Sequence, residues 1–478
     1  MDLRRKSVRG SVWSLGNAAL RRLVNFAVFP ILARLLLPED FGIIAYAGVV
    51  LAVSEVFVDQ GLGVAITQRD DLDRRHIDAA FWMNMVAGIV IAGSIFAAAG
   101  WLAETLHAPR LGPILRALCL VLVLRAASVV QTALLRRDFH FKAITGASVT
   151  AAALGGVLGV VAALAGWGVW SLVVQQVTQA GVELVLISLR CQWLPSLSFD
   201  WVAAKELLSF SAHVLGASLL NVVSRRFDDF LIGYVLGTEA LGYYSMAYRV
   251  LQLGIQFLVS PTNRVALSTF SRLQGDRERL KDAFLTAVRL SATLAAPAFV
   301  GLSILSRDFV AVVLGPGWQT AVPVLQLLAL AGIRFSLNYY DSSVHFALTR
   351  PDVRMKLLVM HTVANVIAFL IAVQYGIVAV AAAFVVRTYL LSPVDLVVLT
   401  RLLPMRMSEY LGQLVTPLIC SALMAAALFG IQALLSGWLA LVVGIVVGII
   451  TYGVALRLVN ADAYREVIGV VREVVRPT

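Results

Sequence analysis

The residues of this chain that could do chemistry are charged side chains inside long apolar stretches. These stretches contain twelve arginines but only seven acidic residues. Two pairs of arginines are adjacent in sequence, Arg21-Arg22 and Arg225-Arg226. A guanidinium group binds phosphate through a planar fork of N–H donors. The excess of arginine therefore predicts the binding of an anionic group within the apolar interior.

Eight arginines are candidates for anion binding, and five acids are candidates for pairing with them or for proton or sodium coupling. The arginines are Arg21, Arg22, Arg125, Arg225, Arg226, Arg249, Arg334 and Arg387, and the acids are Glu55, Asp59, Asp228, Asp229 and Asp341. A charge inside a membrane-spanning segment must face protein or a water-filled cavity, because lipid cannot solvate it. We therefore expect these arginines to line a central cavity.

Charge pairing within the protein is the alternative for several candidates. Glu55 and Asp59 lie four residues apart on one helix face, and either could neutralise Arg21 or Arg22 from a neighbouring helix. Since a carboxylate can hold an arginine until a ligand arrives, pairing and ligand binding do not exclude one another.

The same alternative applies within two later segments. Arg225 precedes Asp228 and Asp229 by three and four residues, so this cluster could neutralise itself. Asp341 follows Arg334 by seven residues on the same helix face, and it is either a pairing partner or a proton or cation site. The remaining candidates have no obvious acid on their own helix; these are Arg125, Arg249 and Arg387.

Aromatic residues beside these charges could line a saccharide path, because sugars stack on aromatic faces. They are Tyr243, Tyr244, Tyr248, Tyr339 and Tyr340. Core packing or an interfacial aromatic belt is the other interpretation of these tyrosines.

The amino-acid composition indicates which class of protein contains these charges. Of 478 residues, 60% are hydrophobic and 14% are charged, whereas a soluble domain has about 25% charged residues. The chain is therefore predicted to be an all-α, polytopic membrane protein. Three scattered cysteines and six histidines show no metal-ligand spacing, so we predict no metal site, no cofactor and no catalytic residue.

About fourteen apolar spans follow one another. Their approximate ranges are 11–36, 41–66, 77–101, 111–135, 143–165, 167–190, 206–236, 240–268, 282–304, 320–348, 354–374, 377–400, 409–435 and 438–458. Between them, 25 Lys and Arg residues lie in one set of loops and two in the alternate set. Because Lys and Arg collect in cytoplasmic loops, both termini are predicted to be cytoplasmic. The net charge of +11 is then a topological signal, and we predict no binding of nucleic acid.

The chain also contains an internal repeat. Residues 11–51 and 211–251 are identical at ten of 41 ungapped positions. The repeat predicts an N-terminal six-helix bundle over residues 1–200 and a second over 201–403, related by an axis along the membrane normal. Residues 404–478 then form two additional helices and a cytoplasmic tail.

Several motifs carry a resemblance to a known family. They are LARLLLPEDFGIIAYAGVV (32–50), FVDQGLGVAITQRDDL (57–72), HIDAAFWMN (76–84), LLRRDFHFKA (134–143), RRFDDFLIGYVLGTEALGYYSMAYRV (225–250), SPTNRVALSTFSRLQGD (260–276) and LGPGWQTAVPVLQLLALAG (314–332). With these motifs the chain resembles the bacterial polysaccharide repeat-unit flippases, which belong to the polysaccharide transporter family of the multidrug/oligosaccharidyl-lipid/polysaccharide exporter superfamily.

The resemblance implies two six-helix bundles around a central cavity that opens alternately to each side of the bacterial inner membrane. The implied cargo is an undecaprenyl-pyrophosphate-linked oligosaccharide for exopolysaccharide, capsule or O-antigen export, and Arg21 and Arg22 match the role of pyrophosphate contacts. Implied partners are membrane lipids, a polysaccharide polymerase and the export machinery. A cation-coupled multidrug exporter and a glycan polymerase or ligase are the alternatives, although no loop on the outer side is long enough to hold an enzyme site.

Overall fold

The computed structural model describes residues 20, 23–59, 61–69, 71–258, 260–465 and 469. In this part of the chain there is no β-strand, and α-helices follow one another with short connections. They are α1 (Leu23–Leu35), α2 (Pro38–Asp59), α3 (Leu62–Gln68), α4 (Arg74–Thr105), α5 (Leu111–Arg137), α6 (Phe141–Leu164), α7 (Val169–Arg190), α8 (Trp201–Leu258), α9 (Ser260–Arg272), α10 (Arg277–Ile304), α11 (Ser306–Phe309), α12 (Val322–Ala347), α13 (Pro351–Ala372), α14 (Ile377–Leu402), α15 (Met407–Leu434) and α16 (Gly437–Val459).

Eleven of the described helices are long and apolar enough to cross a membrane. The predicted all-α, multi-pass membrane fold is therefore confirmed. The count of fourteen spans stays a prediction, because the first span and the two spans within α8 do not meet this criterion of length and hydropathy. The described part of the first span is the short helix α1, and α8 carries four closely spaced charges, which are Arg225, Arg226, Asp228 and Asp229.

Two glycines mark helix boundaries, one where the sequence predicted a continuous span and one where it predicted a break. The second span was predicted to run to residue 66, but α2 ends at Asp59 and the short α3 begins after Gly61, whose φ is +75°. Inside α8, Gly237 has φ +87° and ψ 173°, and it separates the predicted seventh and eighth spans. Only glycine adopts such backbone conformations without a steric penalty.

The described residues form two compact units, one up to Ser245 and one from Met246 onward. In the first unit, α5 packs against α2, α4 and α7, and α6 packs against α7. Part of its core lies where α3, α4 and α5 meet around Ile66, Phe81 and Val130. Burial of these apolar side chains holds the ends of the three helices together.

The segment between α7 and α8 is hydrogen-bonded to the beginning of α4. The buried carboxylate of Asp78 accepts hydrogen bonds from the backbone N–H and the hydroxyl of Ser196, at 3.2 and 2.5 Å. The Trp82 indole N–H donates to the Ser196 carbonyl oxygen at 2.7 Å. Two residues before Asp78, His76 Nε2 lies 3.2 Å from Glu206 Oε2 on α8. The segment that follows α7 is thus fixed to the beginning of α4.

The start of α2 crosses the part of α8 that follows Gly237, and both glycines at this crossing are required. A Cβ atom on Gly42 would overlap the carbonyl oxygen of Thr238, and one on Gly242 would overlap the carbonyl oxygen of Pro38. These residues are related by the 200-residue repeat, since Pro38 corresponds to Thr238 and Gly42 to Gly242. The contact is therefore reciprocal, because each glycine approaches the backbone of the other segment.

In the second unit, α10 packs against α12 and α15, while α14 packs against α12 and α13. The C-terminal helices are joined to the rest of this unit by partly buried polar contacts. Asp308 accepts the N–H of Gly437 at 2.8 Å, and the Gln432 amide donates to the carbonyl oxygen of Ile304 at 2.6 Å. The hydroxyl of Tyr452 on α16 donates to the carbonyl oxygen of Thr293 on α10 at 2.8 Å.

Candidate functional site

In the first unit, one candidate arginine pairs with a candidate acid on another helix. Arg125 on α5 forms an ion pair with Glu55 on α2 through Nη1 and Oε1. The side chains are 52% and 37% exposed, so an anion could still reach the guanidinium. Glu55 therefore has a partner that sequence spacing did not indicate, and Asp59, one turn further along α2, accepts the N–H of Gly63 at 3.4 Å.

The two adjacent acids on α8, Asp228 and Asp229, contact different side chains. Arg226 Nη1 lies 2.9 Å from Asp229 Oδ2, so the ion pair is made by Arg226 and not by Arg225, whose side chain is exposed. Asp228 accepts the Asp229 N–H at 3.0 Å and the hydroxyl of Tyr244 at 2.9 Å. The Tyr244 contact joins the parts of α8 on either side of Gly237.

The candidates Arg21 and Arg22 lie outside the residues that the structure describes. Arg249 lies on the last turns of α8, and its side chain is exposed. The relation of these three to Arg125 and Arg226 stays a prediction, as does a central cavity that they would share.

In the second unit, a buried network of charges joins α12, α13 and α14. Arg334 is 4% exposed. Its Nη1 lies 2.9 Å from Asp341, its Nη2 lies 3.1 Å from Asp395, and its Nε donates to the hydroxyl of Ser392 at 2.7 Å. The other oxygen of Asp395 lies 2.9 Å from His361 Nε2.

The hydrogen bonds of this network fix the tautomer of His361. Arg387 Nη1 lies 3.3 Å from His361 Nδ1, and a guanidinium can only donate. Nδ1 must therefore accept, and Nε2 carries the proton and donates to Asp395. With a neutral imidazole, two guanidinium groups balance the carboxylates of Asp341 and Asp395. This self-neutralised arrangement favours a structural role for Arg334, because each of its three nitrogens already donates to an acceptor inside the network.

Sequence reasoning could place only part of this network. The pair Arg334–Asp341 follows from seven-residue spacing on one helix. Asp395 and His361 did not stand out, because they lie on α14 and α13 and meet Arg334 only after the helices pack. The Arg125–Glu55 pair was missed for the same reason.

The five tyrosines considered for a saccharide path differ in burial and in their contacts. Tyr244 and Tyr340 are buried in the protein, and Tyr248 packs edge-on against Phe384 with ring centroids 6.2 Å apart. Tyr339 is exposed, and Tyr243 donates its hydroxyl to Glu239 at 3.1 Å. Core packing therefore explains at least the two buried rings.

Two known proteins that resemble this chain in sequence act in polysaccharide biosynthesis. Over 377 residues it is 26% identical to the lipopolysaccharide biosynthesis protein WzxC of Escherichia coli (strain K12), covering 78% of this chain and 76% of that protein. Over 308 residues it is 31% identical to the succinoglycan biosynthesis transport protein ExoT of Rhizobium meliloti (strain 1021), covering 64% of this chain and 62% of that protein.

A solved structure shares the fold at low sequence identity. The lipid II flippase MurJ, in its inward closed conformation, superposes with a TM-score of 0.80 at 11% identity, covering 96% of this chain and all of that one. The family model described as polysaccharide biosynthesis protein matches residues 31–323, which include most of the motifs that carried the resemblance. The chain therefore belongs to the polysaccharide biosynthesis protein family, and the resemblance to polysaccharide flippases is confirmed.

Proposed function

We propose that this chain flips a lipid-linked oligosaccharide across the membrane, and that it is a transporter rather than an enzyme. The cargo we propose is an undecaprenyl-pyrophosphate-linked repeat unit, which moves from the cytoplasmic to the outer leaflet of the bacterial inner membrane. A polysaccharide polymerase and the export machinery would then use the flipped unit. Both termini would lie in the cytoplasm.

The family match over residues 31–323 carries the proposal. The relatives named above act in polysaccharide biosynthesis, and one is named as a transport protein. The structural similarity to a lipid II flippase also supports the proposal, because the two chains share a fold of membrane helices. The proposed substrate follows from these names together with the chemistry of the chain's own charges.

The half-exposed arginines of the first unit suit an anionic lipid head group. Arg125 and Arg226 each form an ion pair with one carboxylate, that of Glu55 and that of Asp229. A carboxylate neutralises the guanidinium in the empty state, and a pyrophosphate can replace it with a stronger, two-pronged contact. We further propose that Arg21 and Arg22 contact the pyrophosphate, and that the two repeats open alternately to the two leaflets.

Reconstitution tests the transport step directly. The purified protein is placed in liposomes with a fluorescent undecaprenyl-pyrophosphate oligosaccharide, and a membrane-impermeant quencher reports which leaflet holds the label. We expect the protein to bring the inner-leaflet label into reach of the quencher, whereas protein-free liposomes keep it protected. Continued protection with folded, inserted protein would refute the proposed function.

The arginine assignment is tested by complementation. A strain that lacks the protein should accumulate lipid-linked repeat units and make no polymer. The double variant Arg21→Gln, Arg22→Gln should insert normally and fail to restore polymer, while Arg401→Gln, an exposed position at the end of α14, should restore it. Normal polymer from the double variant would exclude these arginines as required contacts. Resistance to toxic cations without polymer export would instead favour the multidrug exporter.

A further inference from the structure

Three exposed side chains on α8 lie in one row along the helix. Arg226, Phe230 and Tyr234 follow one another at four-residue spacing, which places them on one face. Their side chains are 45%, 37% and 45% exposed. Tyr234 lies three residues before the break at Gly237, and Arg226 lies eleven residues before it. The row therefore begins with a cation and continues as two aromatic rings towards one end of the helix.

The depth of Arg226 determines what this face meets. At 1.5 Å per residue, Arg226 lies about 16 Å from Gly237 along the axis, near the middle of a bilayer of about 30 Å. In the predicted topology α8 crosses the membrane before Gly237. A guanidinium at that depth does not face lipid. Since Phe230 and Tyr234 share its face, their rings belong to the same hydrated surface and not to a lipid-facing aromatic belt.

The two rings are held in a defined orientation. Phe230 and Tyr234 are nearly parallel, with ring centroids 6.1 Å apart and an angle of 10° between their planes. The buried ring of Tyr46 packs edge-on against Phe230 at 6.4 Å, and the ring of His107 packs edge-on against Tyr234 at 5.7 Å. Such edge contacts restrict ring rotation, so the row presents parallel rings that are positioned before any ligand arrives.

We propose that Arg226, Phe230 and Tyr234 form a saccharide-binding row, in which Arg226 binds the phosphate next to the first sugar and the two rings stack against the sugars that follow. This inference rests on the proposed function and names the part of the substrate that this face takes. The faces of aromatic rings carry negative potential, which suits the polarised C–H groups of a pyranose ring. A lipid tail would not require a cation in the row. A phosphate-linked glycan has a phosphate followed by sugars, which matches a guanidinium followed by two aromatic rings.

Asp229 is the partner of Arg226 when no ligand is bound. It lies 2.9 Å from Arg226 and is itself buried, so the guanidinium is neutralised without ligand. Phosphate exchanges with this carboxylate as the head group enters. No covalent step is involved, and the row contributes only binding and orientation of the glycan.

The test compares two substrates in the same liposomes. One is an undecaprenyl-pyrophosphate monosaccharide and the other carries the full oligosaccharide repeat. We expect the double variant Phe230→Leu, Tyr234→Leu to slow flipping of the oligosaccharide by about tenfold or more, with the monosaccharide rate changed less than about twofold. The pair Phe230→Tyr, Tyr234→Phe keeps both rings and should restore the wild-type rate on both substrates.

Controls separate this inference from the proposed function and from misfolding. Phe429→Leu removes an exposed ring on α15, outside the proposed row, and should change neither rate. A double leucine variant that flips the oligosaccharide at the wild-type rate, or that slows both substrates equally, would overturn the saccharide-binding row. If wild-type protein moves neither substrate, the proposed function itself fails, and the two failures are therefore distinguishable.

Discussion

At the scale of single residues, the buried network around Arg334 should be required for folding. Replacing Arg334 by Gln leaves Asp341 and Asp395 buried without their shared cation. Removing one partner of a buried ion pair costs about 3–5 kcal/mol, because the remaining charge is uncompensated. We expect Arg334→Gln to lower the thermal midpoint of the detergent-solubilised protein substantially, as followed by loss of the monodisperse peak in size-exclusion chromatography.

Two further variants make this expectation specific. Arg401→Gln removes an exposed arginine from the end of α14 and should leave the midpoint nearly unchanged, since exposed charges contribute about 0–1 kcal/mol. Adding Asp341→Asn to Arg334→Gln removes one of the two stranded charges and should recover part of the loss. Equal midpoints for Arg334→Gln and Arg401→Gln would show that the network is not structural.

At the scale of elements, the crossing of α2 with α8 depends on its two glycines. A methyl group at Gly42 would overlap backbone atoms of Thr238, and backbone cannot move aside as a flexible side chain does. Overpacking of this kind costs about 1–3 kcal/mol or more. We expect Gly42→Ala to lower the thermal midpoint and Gly242→Ala to do so by a similar amount, because the two contacts correspond under the 200-residue repeat.

Gly48 offers a control on the same helix. A Cβ at Gly48 would meet no atom within 4 Å, and alanine favours a helix over glycine by about 1 kcal/mol. Gly48→Ala should therefore leave the midpoint unchanged or raise it. If Gly42→Ala and Gly48→Ala shift the midpoint alike, the helices do not approach as closely at Gly42 as the structure shows.

At the scale of the whole molecule, the helices were predictable and most of their polar contacts were not. Long apolar runs fix the membrane helices, so the predicted span 111–135 agrees closely with α5, Leu111–Arg137. Spacing along one helix also offered the pair of Arg334 with Asp341 as one of two interpretations, and the structure contains that pair. The contact of Arg125 with Glu55 joins residues 70 apart in sequence, and it depends on how α2 and α5 pack. No periodicity within a single helix encodes such a contact.

The alternation of charged loops makes the topology of the whole chain testable with single cysteines. The free cysteines Cys119, Cys191 and Cys420 are first replaced by alanine, and one exposed turn residue at a time becomes cysteine. Pro109→Cys, between α4 and α5, should react with a membrane-impermeant maleimide in intact cells, because its loop belongs to the arginine-poor set. Gln274→Cys, between α9 and α10, should react only after the cells are permeabilised.

Ala461→Cys extends this test to the number of spans. The residue is exposed just after α16, and with an even number of spans it lies on the same side as the N-terminus. It should then be protected in intact cells, as Gln274→Cys is. Six predicted spans separate Gln274 from Ala461, so the two positions should be protected together. Reaction of both in intact cells, with Pro109→Cys also reactive, would mean that only one part of α8 crosses the membrane, whereas reaction of Ala461→Cys alone would place the miscounted span between α10 and α16. Since every loop beyond a miscounted helix changes sides, the three positions together decide whether Lys and Arg really collect on the cytoplasmic face.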